Sequence, residues 1–495
     1  MVKNSLLKNG FYNSITGLIK IGLGILIIPI LIRLLGIEEY GLWTLASAVV
    51  VMVTLAEAGL STATTVFVSQ DLGKKDVDGL SQTLTVTFGA MLILATLAVI
   101  VLWMGAEPIM NLFPKLGQLQ QLKVIQAIQI GGLVVAARLL QQILIGVEQA
   151  HQRYDLMNVL NTMQSVLLNV GMLIVVLLGG RTVELMQWQA GIGVVSLFSH
   201  IWVVRSILQN MNLRLSWNQH KAVAVGSYSL MMWLNTLGSV LFSRGDRLIV
   251  GSLLGTQVLG VYAGITDITA QINSFSALPV QPLLPTLSNL IGQQNVNYHQ
   301  LEQQLKQATQ INGLVALGMG ATLITLSPLI LKLLFPEQTA SQYFITFCIA
   351  TGIYALYSCH AVGYYSLLGT NAVKACALIQ LLGSFSSLGL IAIGAYNFSL
   401  TGAIIGNLGY LTTFLVTVFG MKRLSVSYTL WFQWLWFPLI WFFIVVLLNF
   451  QLPNDYLVRC IICSIQIAIL MAWFAISNNY SFSAIKKYIA AKNKL

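Results

Sequence analysis

Leu34-Leu35-Gly36-Ile37-Glu38-Glu39-Tyr40-Gly41-Leu42-Trp43 returns 219 residues later as Leu253-Leu254-Gly255-Thr256-Gln257-Val258-Leu259-Gly260-Val261-Tyr262. The same offset carries Ser69, Gly73 and Val77 onto Ser288, Gly292 and Val296, in the loop after the next apolar run. Two separate stretches in one register point to an internal repeat. The surroundings are apolar: 57% of the 495 residues are hydrophobic, 8% are charged, and the mean hydropathy is +0.79. Soluble domains carry about a quarter charged residues, so this composition cannot cover a water-facing surface. A soluble enzyme is excluded. So is an outer-membrane barrel, whose strands alternate apolar and polar.

Runs of spanning length read at 11–35, 40–68, 80–104, 120–147, 156–178, 186–208, 226–254, 258–282, 308–334, 342–368, 372–396, 400–420, 432–450 and 456–476. Fourteen helices of ~20 residues leave short loops and no room for an extramembrane domain. The first run is too long for a signal-peptide core and has no small-residue cleavage site, so it reads as retained. With the N-terminus inside, sixteen Lys and Arg fall in cytoplasmic segments and six, Arg459 among them, on the opposite side. The positive-inside rule then sets both termini in the cytoplasm. The matching loops of the two copies lie on the same side, which makes the repeat parallel, with a pseudo-two-fold axis along the membrane normal. The expected architecture is all-α, with fourteen transmembrane helices in two six-helix lobes and two extra C-terminal helices. Its divisions are an N-lobe over 1–215, a C-lobe over 216–425, the added pair over 426–480 and a basic cytoplasmic tail over 481–495.

The formal charge is +11. The bases sit mostly in loops, where topology and anionic headgroups account for them, and no basic patch interleaved with aromatics suggests nucleic acid. All five cysteines lie at or beyond Cys348, mostly inside apolar runs, which suits packing better than redox or metal work. No Gly-rich loop ends in Gly-Lys-Ser/Thr, and no HExxH or nucleophile elbow occurs. Neither catalysis nor a cofactor is expected.

Polar residues at membrane depth are costly unless they face protein or a wet cavity. The second run carries Thr54, Glu57, Ser61 and Thr65 at helical spacing. The eighth carries Thr266, Thr269, Asn273 and Ser276, with Asp267 beside them. At the repeat offset Thr54 matches Asn273 and Glu57 matches Ser276, so equivalent surfaces of both lobes are polar, favouring a cavity over simple helix glue. A third stripe holds Asn158, Asn161, Ser165 and Asn169. The buried bases are Lys20, Arg138, Arg244 and Arg247, each costing on the order of 2.5–3.5 kcal/mol at mid-membrane unless paired or solvated. Such a lumen wants an anion, and Arg suits bidentate phosphate contact. Arg138 and Arg244 lead, followed by Lys20 and Arg247. Glu57, Asp246 and Asp267 are the acids that could pair with them or couple a cation. Repeat transporters hold their substrates near mid-membrane between lobes and expose them by rocking.

Pro29-Ile30-Leu31-Ile32-Arg33 leading into the first repeat copy strongly resembles the amino-terminal signature of the polysaccharide-repeat flippases. These are the O-antigen and exopolysaccharide exporters of the multidrug/oligosaccharidyl-lipid/polysaccharide (MOP) superfamily. Arg244-Gly245-Asp246-Arg247, through Gly255 to Tyr262, looks like the family's way into its second lobe. The resemblance covers about residues 1–425. It implies an alternating-access flippase of the bacterial inner membrane that moves an undecaprenyl-pyrophosphate-linked oligosaccharide from the cytoplasmic to the periplasmic leaflet. The partners are then that carrier, membrane lipids and, as a candidate, a polysaccharide polymerase. The added helices 13 and 14 depart from many O-antigen flippases and resemble the lipid II flippases, where such a pair suggests a groove for the prenyl tail. The aromatics Trp431 to Phe437 also suit an interfacial belt. The rival readings are a cation-coupled multidrug antiporter of the same superfamily, which should lean on buried acids, and a non-transporting scaffold for polysaccharide synthesis.

Overall fold

The computed structural model describes residues 27–57, 59–209, 211–283, 287, 298–370, 372–453 and 455–478. Lys20, the tail 481–495 and the repeat positions Ser288, Gly292 and Val296 lie outside the described residues. Every regular element among them is helical. Among the described residues ten helical stretches are long and apolar enough to cross a membrane, and the chain is a multi-pass membrane protein. They take in eleven of the fourteen expected runs, because the eleventh and twelfth share one stretch over Lys374–Arg423. The first, seventh and eighth runs are not among them. Residues 27–35 are helical, the seventh run lies within a 36-residue helix, and the eighth is divided among shorter helices.

The chain divides into two compact units. The first comprises residues up to Gly264 together with Ser384–Gly406. It contains α1 (Ile37–Val53), a 3-10 turn (Thr54–Glu57), α2 (Leu60–Lys74), α3 (Val77–Met110), α4 (Gln118–Ala150), α5 (Tyr154–Leu177), α6 (Thr182–Leu208), α7 (Gln219–Leu254) and the start of α8 (Thr256–Thr269). Apolar positions at helical spacing, such as Val124, Ile128, Val135 and Leu139, let α4 pack against α1, α2, α3 and α6 at once. The polar stripe of the second run is not carried by one continuous helix. The 3-10 turn and Gly59, at φ 73°, break it between α1 and α2.

The first unit also gathers α7, which follows the expected lobe boundary at 215/216. Lys221 Nζ reaches Asp71 Oδ1 at 2.6 Å, and Trp233 Nε1 donates to the Leu55 carbonyl at 2.8 Å. Ser384 Oγ in turn donates to the Gly238 carbonyl at 2.9 Å, which ties the segment 384–406 to α7. Compactness therefore groups the chain differently from the repeat. Phe398 and Ser399 leave helical geometry inside α15 (Val373–Gly406), giving the kink between the eleventh and twelfth runs.

The two repeat copies build matching starts for α1 and α8. Gly36 and Gly255, equivalent at the 219 offset, precede the helices at φ 83° and 86°, a conformation that only glycine adopts at little cost. A Cβ placed on Gly41 would overlap the carbonyl oxygen of Thr256, and one on Gly260 would overlap that of Ile37. Ile37 and Thr256 are themselves repeat partners, so the contact is reciprocal. Two helix backbones meet at a point where neither has a side chain. The acid pair of the first copy anchors α1: Glu39 accepts from Lys123 Nζ at 3.0 Å and from the Thr182 amide at 3.1 Å, and Glu38 accepts from Gln120. The second copy has Gln257 and Val258 at those positions.

The second unit comprises Ile265–Gly383 and the chain from Asn407 onward. It contains the rest of α8, α9 (Gln271–Ala277), α10 (Tyr298–Thr325), α11 (Ser327–Leu334), α12 (Glu337–Gln342), α13 (Phe344–Ser358), α14 (Ala361–Gly369), the start of α15, α16 (Phe414–Arg423), α17 (Tyr428–Asn449) and α18 (Tyr456–Ser477). The thirteenth and fourteenth runs are α17 and α18, and both pack on α10. Between α10 and α18 lies an apolar cavity of about 360 Å³, bounded by Leu314, Gly318, Met319, Ile467, Leu470 and Met471.

Arg459, counted among the outer-side charges by sequence, is 1% exposed. It donates to the carbonyls of Thr325 at 2.7 Å, Pro453 at 2.8 Å and Leu452 at 3.1 Å, and to Asn449 Oδ1 at 2.9 Å. One side chain thus ties the end of α10 to both halves of the α17–α18 turn. Arg459→Met keeps the apolar stem and removes every donor, leaving four acceptors unmet. The expected loss is about 2–4 kcal/mol of stability, read as a lower midpoint of thermal unfolding in detergent.

Candidate functional site

Within the first unit, α4, α5 and α6 enclose a cavity of about 340 Å³ lined mostly by polar side chains. Helical spacing explains how they converge. On α4, Gln141 and Gln142 stand three and four residues after Arg138, so all three share a face. On α5, Asn161, Gln164 and Ser165 repeat that spacing, and α6 adds Gln189. Gln141 Nε2 donates to Gln164 Oε1 at 2.9 Å and to Ser196 Oγ at 3.1 Å, fixing the wall. Arg138 is exposed, and no side chain or carbonyl among the described residues engages its guanidinium. In a membrane, an uncompensated Arg at this depth requires a wet surround. Among the described residues the lining holds one cation, several amides and no carboxylate. It can fork onto an anionic group and exchange hydrogen bonds with hydroxyls.

The other residues singled out by sequence are placed elsewhere. Asn158 is buried on α5, one turn from Asn161. Glu57 accepts from Ser61 Oγ beside the break between α1 and α2, and Thr54 donates to the Val51 carbonyl at 2.6 Å. Asp246 is buried, accepting from Tyr262 Oη at 2.9 Å and from the Arg247 amide at 2.8 Å. That bond holds α7 to the second repeat copy. Arg247 is 5% exposed and Arg244 is half-buried, both on α7. In the second unit Asp267 and Asn273 are half-buried. Ser276 is fully buried, its hydroxyl turned to the Asn273 carbonyl at 3.2 Å and its own carbonyl held by Asn312 at 3.1 Å. Lys20 falls outside the described residues. The cavity therefore gathers Arg138 with Asn161 and Ser165, and none of the other described candidates.

Sequence reasoning missed the glutamines. A readable signal existed: Gln141 and Gln142 sit one turn from Arg138, and Gln164 one turn from Asn161, on the faces those residues define. It also missed a buried Glu–His contact. His200 Nδ1 on α6 lies 2.8 Å from Glu148 Oε1 on α4, and neither side chain has any exposure. Two positions 52 apart in sequence carry no spacing that betrays such a pair.

Three comparisons with known proteins bear on this geometry. Residues 6–291 match the sequence model of the family described as "Polysaccharide biosynthesis protein". No curated protein sequence matches the chain. Among solved structures, the chain is similar to the lipid II flippase MurJ in an inward closed conformation. The TM-score there is 0.73 at 14% identity, over 94% of this chain and 98% of that one. It is also similar to an inward-facing multidrug resistance MATE family transporter of the MOP superfamily, with TM-score 0.63 at 14% identity over 83% and 98%. A MOP superfamily transporter from Pyrococcus furiosus aligns with TM-score 0.51 at 13% identity over 84% and 96%. These structures share the all-helical fold expected from the repeat.

Proposed function

The chain belongs to the polysaccharide biosynthesis protein family, and on that premise we propose that it flips an undecaprenyl-pyrophosphate-linked oligosaccharide from the cytoplasmic to the periplasmic leaflet of the bacterial inner membrane. Both termini stand in the cytoplasm, and transport proceeds by alternating access. The observation that carries this reading is the Arg138 cavity: a cation without a counter-ion among the described residues, set among amides at membrane depth. Pyrophosphate answers the guanidinium, and sugar hydroxyls answer Gln141, Asn161 and Gln164. The likeness to MurJ, a lipid II flippase, supports the same class of cargo. The apolar cavity between α10 and α18 suits a polyprenyl tail, which has only dispersion contacts to make. With the cytoplasm negative, outward movement of an anion gains ~2.3 kcal/mol per net charge per 100 mV. A polysaccharide polymerase on the periplasmic side is a fitting partner, since it would consume the flipped product.

The rival of a drug or cation antiporter draws on the likeness to a MATE family transporter. It calls for an acid in the cavity, and the lining of this one has none among the described residues. Reconstitution in proteoliposomes separates them. A fluorescent undecaprenyl-pyrophosphoryl oligosaccharide is expected to cross, faster under an imposed potential with the origin side negative, while a lipophilic cation stays put. Movement of the cation alone would defeat the flippase reading.

A further inference from the structure

The polar inventory of the α4–α5–α6 cavity distinguishes one kind of sugar from another. Among the described residues its lining holds five side-chain amides, Gln141, Gln142, Asn161, Gln164 and Gln189, with one guanidinium and one hydroxyl. No aromatic ring is among them, so the face of a sugar ring finds no stacking partner. Nor is there a second cation, so an acidic sugar would compete with phosphate for Arg138. An amide both donates and accepts, whereas a carboxylate only accepts and a guanidinium only donates. A hydroxyl offers both functions on one atom. An acetamido group offers them on opposite edges of a plane, N–H on one side and C=O on the other, and so can join two amides that face each other across a gap.

Three of the five amides are already engaged. Gln141 Nε2 donates to Gln164 Oε1 at 2.9 Å, and Gln164 Nε2 returns the bond to Gln141 Oε1 at 3.4 Å. Gln189 Nε2 is turned to Met172 Sδ at 3.6 Å. Gln142 and Asn161 are the remaining two. Both are half-buried, and no side chain or carbonyl among the described residues engages either amide. The Gln141–Gln164 pair sets the level at which α4 and α5 face each other. Gln142 stands one residue beyond it on α4, and Asn161 three residues before it on the antiparallel α5. At 1.5 Å of rise per residue, the two free amides lie within ~3 Å of one level on opposite walls. Ile145, one turn beyond Gln142, adds an apolar patch to the same end of the cavity.

We infer that this cavity selects a 2-acetamido sugar joined directly to the pyrophosphate, with Gln142 and Asn161 as its specificity-determining residues. The inference rests on the flippase reading and narrows its substrate. A volume of about 340 Å³ is at the small end for a ligand pocket, with room for a phosphate-linked sugar rather than a long oligosaccharide. The order of the groups agrees. In the proposed topology α4 runs from the periplasmic side at Gln118 to the cytoplasmic side at Ala150, so Gln142 lies one turn from Arg138 toward the cytoplasm. A lipid in the cytoplasmic leaflet presents tail, pyrophosphate and first sugar in that same direction. Its acetamido group is on the carbon next to the anomeric one, within the ~5.4 Å of one helical turn from the phosphate side. The N–H then donates to the oxygen of one free amide, the C=O accepts from the N–H of the other, and the methyl meets Ile145. A hydroxyl on that carbon reaches one amide and leaves the other unmet.

The test uses the full chain in nanodiscs with undecaprenyl-pyrophosphoryl N-acetylglucosamine and undecaprenyl-pyrophosphoryl glucose, which differ only in that substituent. The wild type is expected to bind the acetamido lipid about tenfold to a hundredfold more tightly, the yield of two hydrogen bonds and a methyl contact. Gln142→Leu and Asn161→Leu are each expected to cut this preference about threefold or more, and the double variant to abolish it. Arg138→Gln should weaken both lipids and leave their ratio unchanged, which separates the phosphate contact from the sugar contact. A third lipid, methylated on the acetamido nitrogen, removes the N–H without touching the fold and is expected to bind no better than the glucose lipid. Equal affinity for the first two lipids in the wild type, with both crossing in proteoliposomes, refutes the sugar selection and spares the flippase. Binding of neither refutes the flippase reading and this inference with it. Undiminished binding of the methylated lipid, or a preference that survives in the folded double variant, ends the proposal.

Discussion

Arg138→Gln is expected to weaken binding of an undecaprenyl-pyrophosphoryl oligosaccharide roughly tenfold to a hundredfold and to reduce its crossing in proportion. Charge-assisted hydrogen bonds contribute about 1.5–3 kcal/mol, and 1.36 kcal/mol is a factor of ten. The fold should tolerate the change, because the guanidinium has no partner among the described residues and Gln restores an amide among amides. Thermal unfolding is therefore expected to stay within about 2 °C, the shift that ~0.5 kcal/mol gives a chain of this size or smaller. Arg138→Lys keeps the charge and loses the planar fork, so it should recover part of the affinity. Binding titrated by intrinsic tryptophan fluorescence in nanodiscs checks all three. Equal affinity in the wild type and Arg138→Gln would move the anion site elsewhere, with Arg244 and Arg247 next in order.

Gly41→Ala and Gly260→Ala are each expected to force α1 and the start of α8 apart. In both, the added carbon meets a backbone oxygen, of Thr256 or of Ile37, which has no rotamer to escape by. Overpacking of this kind costs about 1–3 kcal/mol. Because the contact is reciprocal, the helices need to separate only once, and the double variant should lose clearly less than the sum of the singles. The read-out is labelling of Val261→Cys in a cysteine-free background by a membrane-impermeant maleimide. Val261 is 2% exposed, so labelling starts slow, and either alanine is expected to speed it at least tenfold. Additive effects, or unchanged labelling, would show that the crossing does not hold these helices closed.

Several features were legible in the chain before any coordinates. The repeat at offset 219 predicts equivalent helix starts, and Gly36 with Gly255 supplies them at φ 83° and 86°. Apolar runs locate helices because lipid leaves backbone groups no partner outside the segment, so run length alone is diagnostic. Helix ends were less legible. α4 extends to Gln118 and Ala150 past an expected 120–147, and α10 begins at Tyr298 rather than 308. Polar turns continue a helix beyond the hydrocarbon that hydropathy detects. The break between α1 and α2 was hidden as well: Thr54, Glu57 and Gly59 interrupt the run only singly, and an isolated Gly inside a helical pattern does not by itself end the helix.

The candidate site divides in the same way. Arg138 and Asn161 were readable because the penalty for polar groups in lipid is a property of each residue and its depth. That Arg138 stands with Gln141, Gln164 and Gln189, whereas Asp246 binds Tyr262 and Ser276 is buried against its own helix, depends on helix rotation and partner. Arg459 makes the contrast sharpest. By sequence it is a loop charge that orients the chain, and by structure it is a buried tie among four acceptors. The Glu148–His200 pair lies beyond local reading altogether. Composition and periodicity, which are local and additive, determined membrane residence, helix content and the repeat. Which polar side chains meet was decided only when α4, α5 and α6 packed, because hydrogen bonds and ion pairs act across a few ångströms between residues far apart in the chain.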